Sequence, residues 1–271
     1  MYKLAVFDLD GTLLNNEHEI SDENMASIEI LRKQGCKITI ATGRTDLLVK
    51  DYVKKLKLDE PVIACNGALV RNPFTKETVY KRVMPPSVVK EIIEICKRDH
   101  HIFMVYTEEY IVSTHNHRVA YFEERNKKLE PDCRVQFVIE DDPEYISSTF
   151  EVYKILILED DKERFDALPH KFKNLSGISL CQSNTGLMDI MVTGASKKNA
   201  LEMLAKSENI RPSEIVAFGD NYNDIEILKY AGCAITTENG VESVKEIADY
   251  ISIDHNLSGV AYAIQHYLMK K

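Results

Sequence analysis

Asp8-Leu9-Asp10-Gly11-Thr12 sets two carboxylates two residues apart at the end of the apolar run Tyr2-Lys3-Leu4-Ala5-Val6-Phe7. Side chains at spacing two leave a strand on the same side, so both acids address one small volume. Such a pair is costly unless a cation or a shared proton relieves the repulsion. The types and the spacing therefore point to a divalent metal and to chemistry on an anionic group. Gly11 supplies the tight turn that follows the strand.

The elements that must position these acids follow from the periodicity. Residues 2–7 are a short run with β-branched and aromatic members and read as a buried strand. Ser21-Asp22-Glu23-Asn24 is a helix start, Met25, Ile28, Ile30 and Leu31 keep helical spacing, and Gly35 closes the helix. A second strand at residues 36–41 ends at Thr42-Gly43-Arg44. A helix over residues 45–57 and a strand at 61–65 follow, then a loop at Asn66-Gly67. This βαβαβ alternation implies a parallel sheet with crossover helices. In such sheets a ligand lies beyond the carboxyl ends of the strands. Asp8, Asp10, Thr42 and Asn66 all fall there.

Pro85-Pro86 interrupts the alternation and marks a linker. Beyond it, residues to about 188 mix helices (87–98, 162–172) with strands (102–106, 110–113, 153–158, 177–181, 187–192), which reads as an inserted α+β domain. The last third returns to alternation: a helix at 196–207 with Lys197 in its first turn, then a strand at 215–218. Gly219-Asp220-Asn221-Tyr222-Asn223-Asp224 comes next, then a helix at 225–230, a strand at 233–236 and a C-terminal helix ending near residue 269.

The chain has 271 residues and 44% hydrophobic content, ample for a buried core. Its net charge of −9 argues against nucleic acid as a partner, because phosphate backbones demand clustered Lys and Arg. The six cysteines are scattered without a C-x-x-C pair, so reduced thiols are expected rather than disulfides or a zinc cluster. No apolar stretch reaches membrane-spanning length, and Asp8 comes too early for a signal peptide, so a cytoplasmic protein is expected. His100-His101 and His115-x-His117 lack partners at metal-ligand spacing and read as surface polar residues. The runs Glu140-Asp141-Asp142 and Glu159-Asp160-Asp161 read as solvated loops.

Taken together, Asp8-Leu9-Asp10-Gly11-Thr12, Thr42-Gly43-Arg44, Lys197 and Gly219-Asp220-Asn221-Tyr222-Asn223-Asp224 resemble, in order and spacing, the four motifs of the haloacid dehalogenase superfamily of phosphotransferases. The insert between the second and third motifs is similar to the cap of the Cof-type (IIB) sugar-phosphate phosphatases. The resemblance implies an α/β fold: a Rossmann-like parallel-sheet core at 1–82 and 189–271 with a C2-type α+β cap at 83–188. Hinges are expected around residues 83–86 and at Thr193-Gly194.

The chemistry implied is phosphoryl transfer from a small phosphorylated metabolite. A carboxylate attacking a phosphate meets a charge–charge repulsion of roughly 4 kcal/mol at about 4 Å and an effective dielectric near 20. Mg²⁺ between the two offsets much of it. Asp8 and Asp220 suit that ion, and the family pattern adds the main-chain carbonyl of Asp10. Asp8 is then the nucleophile and Asp10 the acid and base. Lys197, the Thr42 hydroxyl and the amides of Leu9 and Gly43 hold phosphate oxygens. Asn223 contacts or orients this shell, Asp224 supports the metal or Lys197, and Arg44 and Asn66 lie at the rim toward substrate. After Gly232-Cys233-Ala234 the family's short Met-Gly-Asn-Ala turn is replaced by Ile235-Thr236-Thr237-Glu238-Asn239-Gly240, with Asn239 standing for the family Asn. A phosphomannomutase-like phosphotransferase and a non-catalytic phosphometabolite-binding regulator are the alternatives. Free phosphate, isomerised sugar or binding without turnover separates the three.

Overall fold

The computed structural model describes residues 2–113 and 116–270. The chain divides into two compact units. One comprises the chain up to Asp46, Tyr52–Tyr80 and the chain from Ser196; the other comprises Leu47–Asp51 and Lys81–Ala195.

The first unit opens with β1 (Leu4–Phe7), all four residues of which are buried. Burial on both faces explains why the run is continuously apolar, as parallel strands are. Helix α1 (Asp22–Lys33) is capped by Ser21, whose hydroxyl accepts from the Asn24 amide, and carries acids in its first turn and bases in its last. Strand β2 (Lys37–Ile40) pairs in parallel with β1. The continuous helix expected over 45–57 is instead a 3₁₀ turn at Asp46–Leu48 followed by the short α2 (Lys50–Lys55). The periodicity does not register what Asp46 does. It is drawn into a fully buried ion pair with Arg71, which donates Nε and Nη2 to Asp46 Oδ2 at 2.9 and 2.5 Å. Arg71 lies on β4 (Leu69–Arg71), which stands between β3 (Val62–Ala64) and β5 (Thr78–Lys81) in a three-stranded sheet.

Removing one member of a fully buried pair strands the other charge at about 3–5 kcal/mol. Arg71→Met is therefore expected to lower Tm by roughly 10 °C or more. Adding Asp46→Leu recovers most of that loss in a thermal melt. Equal melting of Arg71→Met and wild type would contradict this.

The second unit is built on a six-stranded sheet. Helix α3 (Pro86–Arg98) places proline in its first turn and buries Val89, Ile92, Ile93 and Cys96 against that sheet's core. Strands β6 (Ile102–Thr107) and β7 (Tyr110–Ser113) form the expected hairpin. Helix α4 (Asn116–Lys127), strand β8 (Gln136–Ile139) and helix α5 (Pro143–Thr149) follow, none of them foreseen. Strand β9 (Val152–Leu158), helix α6 (Lys162–Lys171), β10 (Ile178–Asn184) and β11 (Leu187–Val192) complete the unit in the sheet order β10-β11-β9-β6-β7-β8. The expected boundary at 188/189 cuts through β11, which pairs along its length with β9 and β10, so this unit runs on to Ala195. The acidic runs are not merely solvated: Asp142 caps α5 and Asp161 caps α6. His101 Nδ1 lies 2.7 Å from Glu159 Oε2; of His115-x-His117, His115 falls outside the described residues and His117 lies on α4.

The chain returns through α7 (Lys197–Ser207), β12 (Ile215–Phe218), α8 (Ile225–Tyr230), β13 (Cys233–Thr237), α9 (Glu242–Lys245), β14 (Tyr250–Ser252) and α10 (Gly259–His266). The five-stranded sheet has the order β14-β13-β12-β1-β2, parallel throughout. The bridge Ala41↔Ile63 and the bond from Thr42 N to Ile63 O (2.9 Å) continue it to β3. This is the expected parallel α/β core. Asp8, Thr42 and Asp220 leave the carboxyl ends of β1, β2 and β12, and Asn66 follows β3, all at one edge. Among the described residues no helix is long and apolar enough to cross a membrane.

Candidate active site

Lys197 is the first residue of α7, behind the cap Ser196, and its side chain is 1% exposed. A buried ammonium at a helix N-terminus is opposed by desolvation and by the helix dipole. Two carboxylates offset both: Nζ donates to Asp8 Oδ1 at 2.6 Å and to Asp224 Oδ1 at 2.7 Å. Burial lowers the proton affinity of Lys197, but Asp224 and Asp8 outweigh it, and the ammonium is held above its ordinary value. It is a fixed cation.

Asp220 completes the cluster. Its Oδ1 accepts from Thr12 Oγ1 at 2.7 Å, and carboxylate oxygens of Asp8, Asp220 and Asp224 all lie within 4.8 Å of one another. Gly11 is required twice here. Its φ is +83°, and a Cβ on it would stand 2.4 Å from Asp220 Oδ2. Burial, with Asp224 adding to it, pushes the Asp220 carboxyl up to about 7, against the opposing Thr12 bond and Lys197. Burial likewise holds Asp8 well above the usual carboxylate range, with Lys197 opposing and Asp224 and Asp220 reinforcing.

Three buried carboxylates thus face one ammonium. The surplus negative charge and the all-oxygen donors fit a hard divalent cation. Asp224 fits less well as a ligand. Its Oδ1 is on Lys197, and its Oδ2 accepts from the amides of Asp220 and Asn221, both at 3.1 Å. Asp8 and Asp220 are the better donors, and Asp224 orients Lys197.

The Asp10 side chain does not join this cluster. Arg44 forks it, Nε to Oδ2 at 2.8 Å and Nη2 to Oδ1 at 2.5 Å. The fork is steadied by Tyr52, which accepts from Arg44 Nη1 at 3.3 Å and donates to the His18 carbonyl at 2.9 Å; His18 Nδ1 is 3.5 Å from Asp10 Oδ1. Burial would raise the Asp10 carboxyl, but His18 and Arg44 prevail and hold it well below the carboxylate range. In this structure the guanidinium of Arg44, the residue expected at the rim toward substrate, is engaged with Asp10.

The phosphate-holding candidates lie beside the cluster. Leu9 is fully buried, and its carbonyl accepts from the amides of Thr12, Leu13 and Leu14, winding the turn that carries both acids. Thr42 is 1% exposed, and its hydroxyl accepts from the Arg44 amide at 3.1 Å. Gly43 allows Asn66 Oδ1 to approach, since a Cβ there would lie 3.0 Å away. Asn223 Nδ2 donates to the same Asn66 oxygen at 3.0 Å. In the departing loop, Asn239 Nδ2 and Thr237 Oγ1 both donate to the Gly11 carbonyl, at 2.8 and 3.3 Å.

Thr12, His18, Tyr52 and Asp46 are assigned no role by sequence reasoning. Thr12 stands inside the quoted first motif, so its position was a signal. Nothing in the sequence marks the other three.

A model of haloacid dehalogenase-like hydrolases matches residues 5–264. The chain is 28% identical over 284 residues to the 5-amino-6-(5-phospho-D-ribitylamino)uracil phosphatase YwtE of Bacillus subtilis, covering 98% of each. It is 32% identical to the solved structure of TM0651 from Thermotoga maritima, with TM-score 0.80 and 98% and 97% of the two chains covered. It also shares its fold with the HAD subclass IIB sugar phosphatase BT4131 at 23% identity, TM-score 0.82, covering 98% and 99% of the chains.

Proposed function

We propose that this chain, a phosphatase belonging to the haloacid dehalogenase-like hydrolase family, hydrolyses small phosphate monoesters through a phosphoryl group carried on Asp8, with Mg²⁺ as its ion. The observation that carries the reading is Lys197 Nζ, buried between Asp8 Oδ1 and Asp224 Oδ1 at 2.6 and 2.7 Å, with Asp220 completing an acidic cluster that one ammonium cannot neutralise. Asp8, Asp220 and the main-chain carbonyl of Asp10 hold the Mg²⁺ in this reading. When bound, the ion supplies positive charge against the oxygens of the transferring group.

The chain's own residues do the rest. A carboxylate oxygen of Asp8 attacks phosphorus, the bond to the ester oxygen breaks, and the leaving alcohol takes a proton from Asp10. Water then attacks the phosphoryl group, giving its proton to Asp10, and inorganic phosphate leaves with Asp8 restored. The Asp10 carboxylate forked by Arg44 suits the second half. The first half needs a proton on Asp10 and release of the fork. A substrate phosphate competing for the planar guanidinium provides that release. Lys197 is a fixed point charge, and Thr42 with the amides of Leu9 and Gly43 offers donors around the phosphate.

The substrate in this reading is a small phosphorylated metabolite, as the names of the relatives above suggest. The scattered thiols (Cys36, Cys65, Cys96, Cys133, Cys181, Cys233) suit a reducing cytoplasm. Phosphate release from a panel of phosphorylated metabolites, with Mg²⁺ and with chelator, tests the function. Hydrolysis that persists in chelator contradicts it.

The pH behaviour follows from Asp220. Its folded value of about 7 lies above the 3.8 of a free carboxyl, so the native metal-free state binds the extra proton. Stability then falls as pH rises toward and through 7. Metal-free protein is expected to melt higher at pH 6 than at pH 8, and Mg²⁺ to raise Tm more at pH 8, where it does not compete with that proton. A Mg²⁺ increment equal at both pH values would refute this. Thermal melts in chelator and in excess Mg²⁺ decide it.

A further inference from the structure

Cys65, Asn66 and Gly67 have φ of 49°, 52° and 91°, three successive left-handed residues, two of which carry a Cβ. All three are buried. Asn tolerates this region through its short polar side chain, whereas such a run persists only where its surroundings over-determine it. The surroundings are the three loops that carry Thr42, Lys197 and Asn223. Cys65 N donates to the Arg44 carbonyl at 2.8 Å and Asn66 N to the Thr42 carbonyl at 3.0 Å. Gly67 lies so close to the start of α7 that a Cβ would stand 2.1 Å from the Ser196 carbonyl oxygen and 2.8 Å from Lys197 N. The Asn66 carboxamide, on a residue 3% exposed, lies against Gly43 and accepts from Asn223 Nδ2 at 3.0 Å.

We infer that Asn66 is a positioning residue for phosphate binding, its carboxamide registering the Thr42-Gly43 turn against Asn223 while the left-handed turn seats on the Lys197 helix. The inference rests on the phosphatase reading above. Backbone and side chain make separable contributions. Glycine adopts positive φ without a Cβ penalty, so the turn itself does not need asparagine. The carboxamide is the part that joins Gly43 to Asn223.

Asn66→Gly is therefore the informative variant, because Asn66→Ala strains the backbone and fails for that reason alone. With p-nitrophenyl phosphate and Mg²⁺, Asn66→Gly is expected to raise KM and the inhibition constant of inorganic phosphate in parallel, by about 10- to 100-fold, the range set by one lost buried hydrogen-bond partner. The kcat changes by less than about 3-fold, as when binding common to ground and transition states is removed. A merely structural fault lowers the active fraction and hence kcat, leaving KM in place. Asn223→Ala shows the same pattern, and the double variant costs no more than the worse single one, since the two side chains act through each other. Unchanged KM in Asn66→Gly, or additive effects in the double variant, overturns the role of Asn66 while wild-type hydrolysis leaves the phosphatase reading standing. A wild-type enzyme that hydrolyses no phosphate ester with Mg²⁺ overturns both.

Discussion

Asp8→Asn is expected to lower kcat by about 10⁴-fold or more, as loss of a nucleophile does, with the fold intact. Asparagine keeps the Oδ1 acceptor that Lys197 bonds at 2.6 Å, so the ammonium retains both contacts. The substitution also takes one negative charge out of a buried cluster in which burial, Asp224 and Asp220 all disfavour the ionised form of Asp8. The metal-free variant is thus expected to melt at or above the wild-type temperature. Activity and stability part company at this residue, which separates a nucleophile from a residue that merely holds the site together. Steady-state rates and a thermal melt of one preparation give both readings. Retained turnover would refute the role of Asp8, and loss of turnover together with the fold would remove the argument for it.

Lys197→Met has the opposite signature. Methionine fills much of the buried stem's volume but strands the carboxylates of Asp8 and Asp224 beside Asp220. Removing one partner of a buried ion pair costs about 3–5 kcal/mol. For a chain of this length that is a fall in Tm of roughly 10 °C or more. Turnover falls on the order of 10²- to 10³-fold, because a fixed positive charge facing the transferring group is gone. The stability loss is reversible in two ways. Acid groups raised in the folded state gain protons as pH falls from 8 to 6, so the variant recovers toward wild type on that side. Mg²⁺ supplies the missing charge and raises the variant's Tm by more than it raises that of wild type. A variant that melts like wild type in chelator at pH 8 would show that Lys197 does not hold the cluster together.

The placement of the candidate site residues was legible because its signals are local. Asp8 and Asp10 end an apolar run, Thr42 and Asp220 end two more, and Lys197 opens an amphipathic helix. A parallel sheet then brings strand ends to one edge whatever the loop lengths between them. What sequence did not reveal is contact made by side chains far apart in the chain. The Arg44 fork on Asp10 spans 34 positions, and the Asn223 bond to Asn66 spans 157. Neither has a periodicity to betray it. Asn66-Gly67 reads as an ordinary turn, and only its φ angles and its packing on Ser196 mark it as more. In the inserted unit, α4 is rich in polar and charged residues and β8 is four residues long, so neither carries enough apolar pattern to declare itself. The misplaced boundary has the same origin: β11 reads as a strand, but its partners β9 and β10 are known only from register.

The identity of the atom that carries the phosphoryl group is the most direct test. Enzyme turning over p-nitrophenyl phosphate with Mg²⁺ is quenched in acid, reduced with borohydride and digested, and the peptide containing Asp8 is read by mass spectrometry. An acyl phosphate on Asp8 is reduced to an alcohol at that position, only when substrate and Mg²⁺ are both present; that is the predicted result. Reduction at Asp10, Asp220 or any other carboxylate, or none at all in enzyme that is releasing phosphate, would contradict the account.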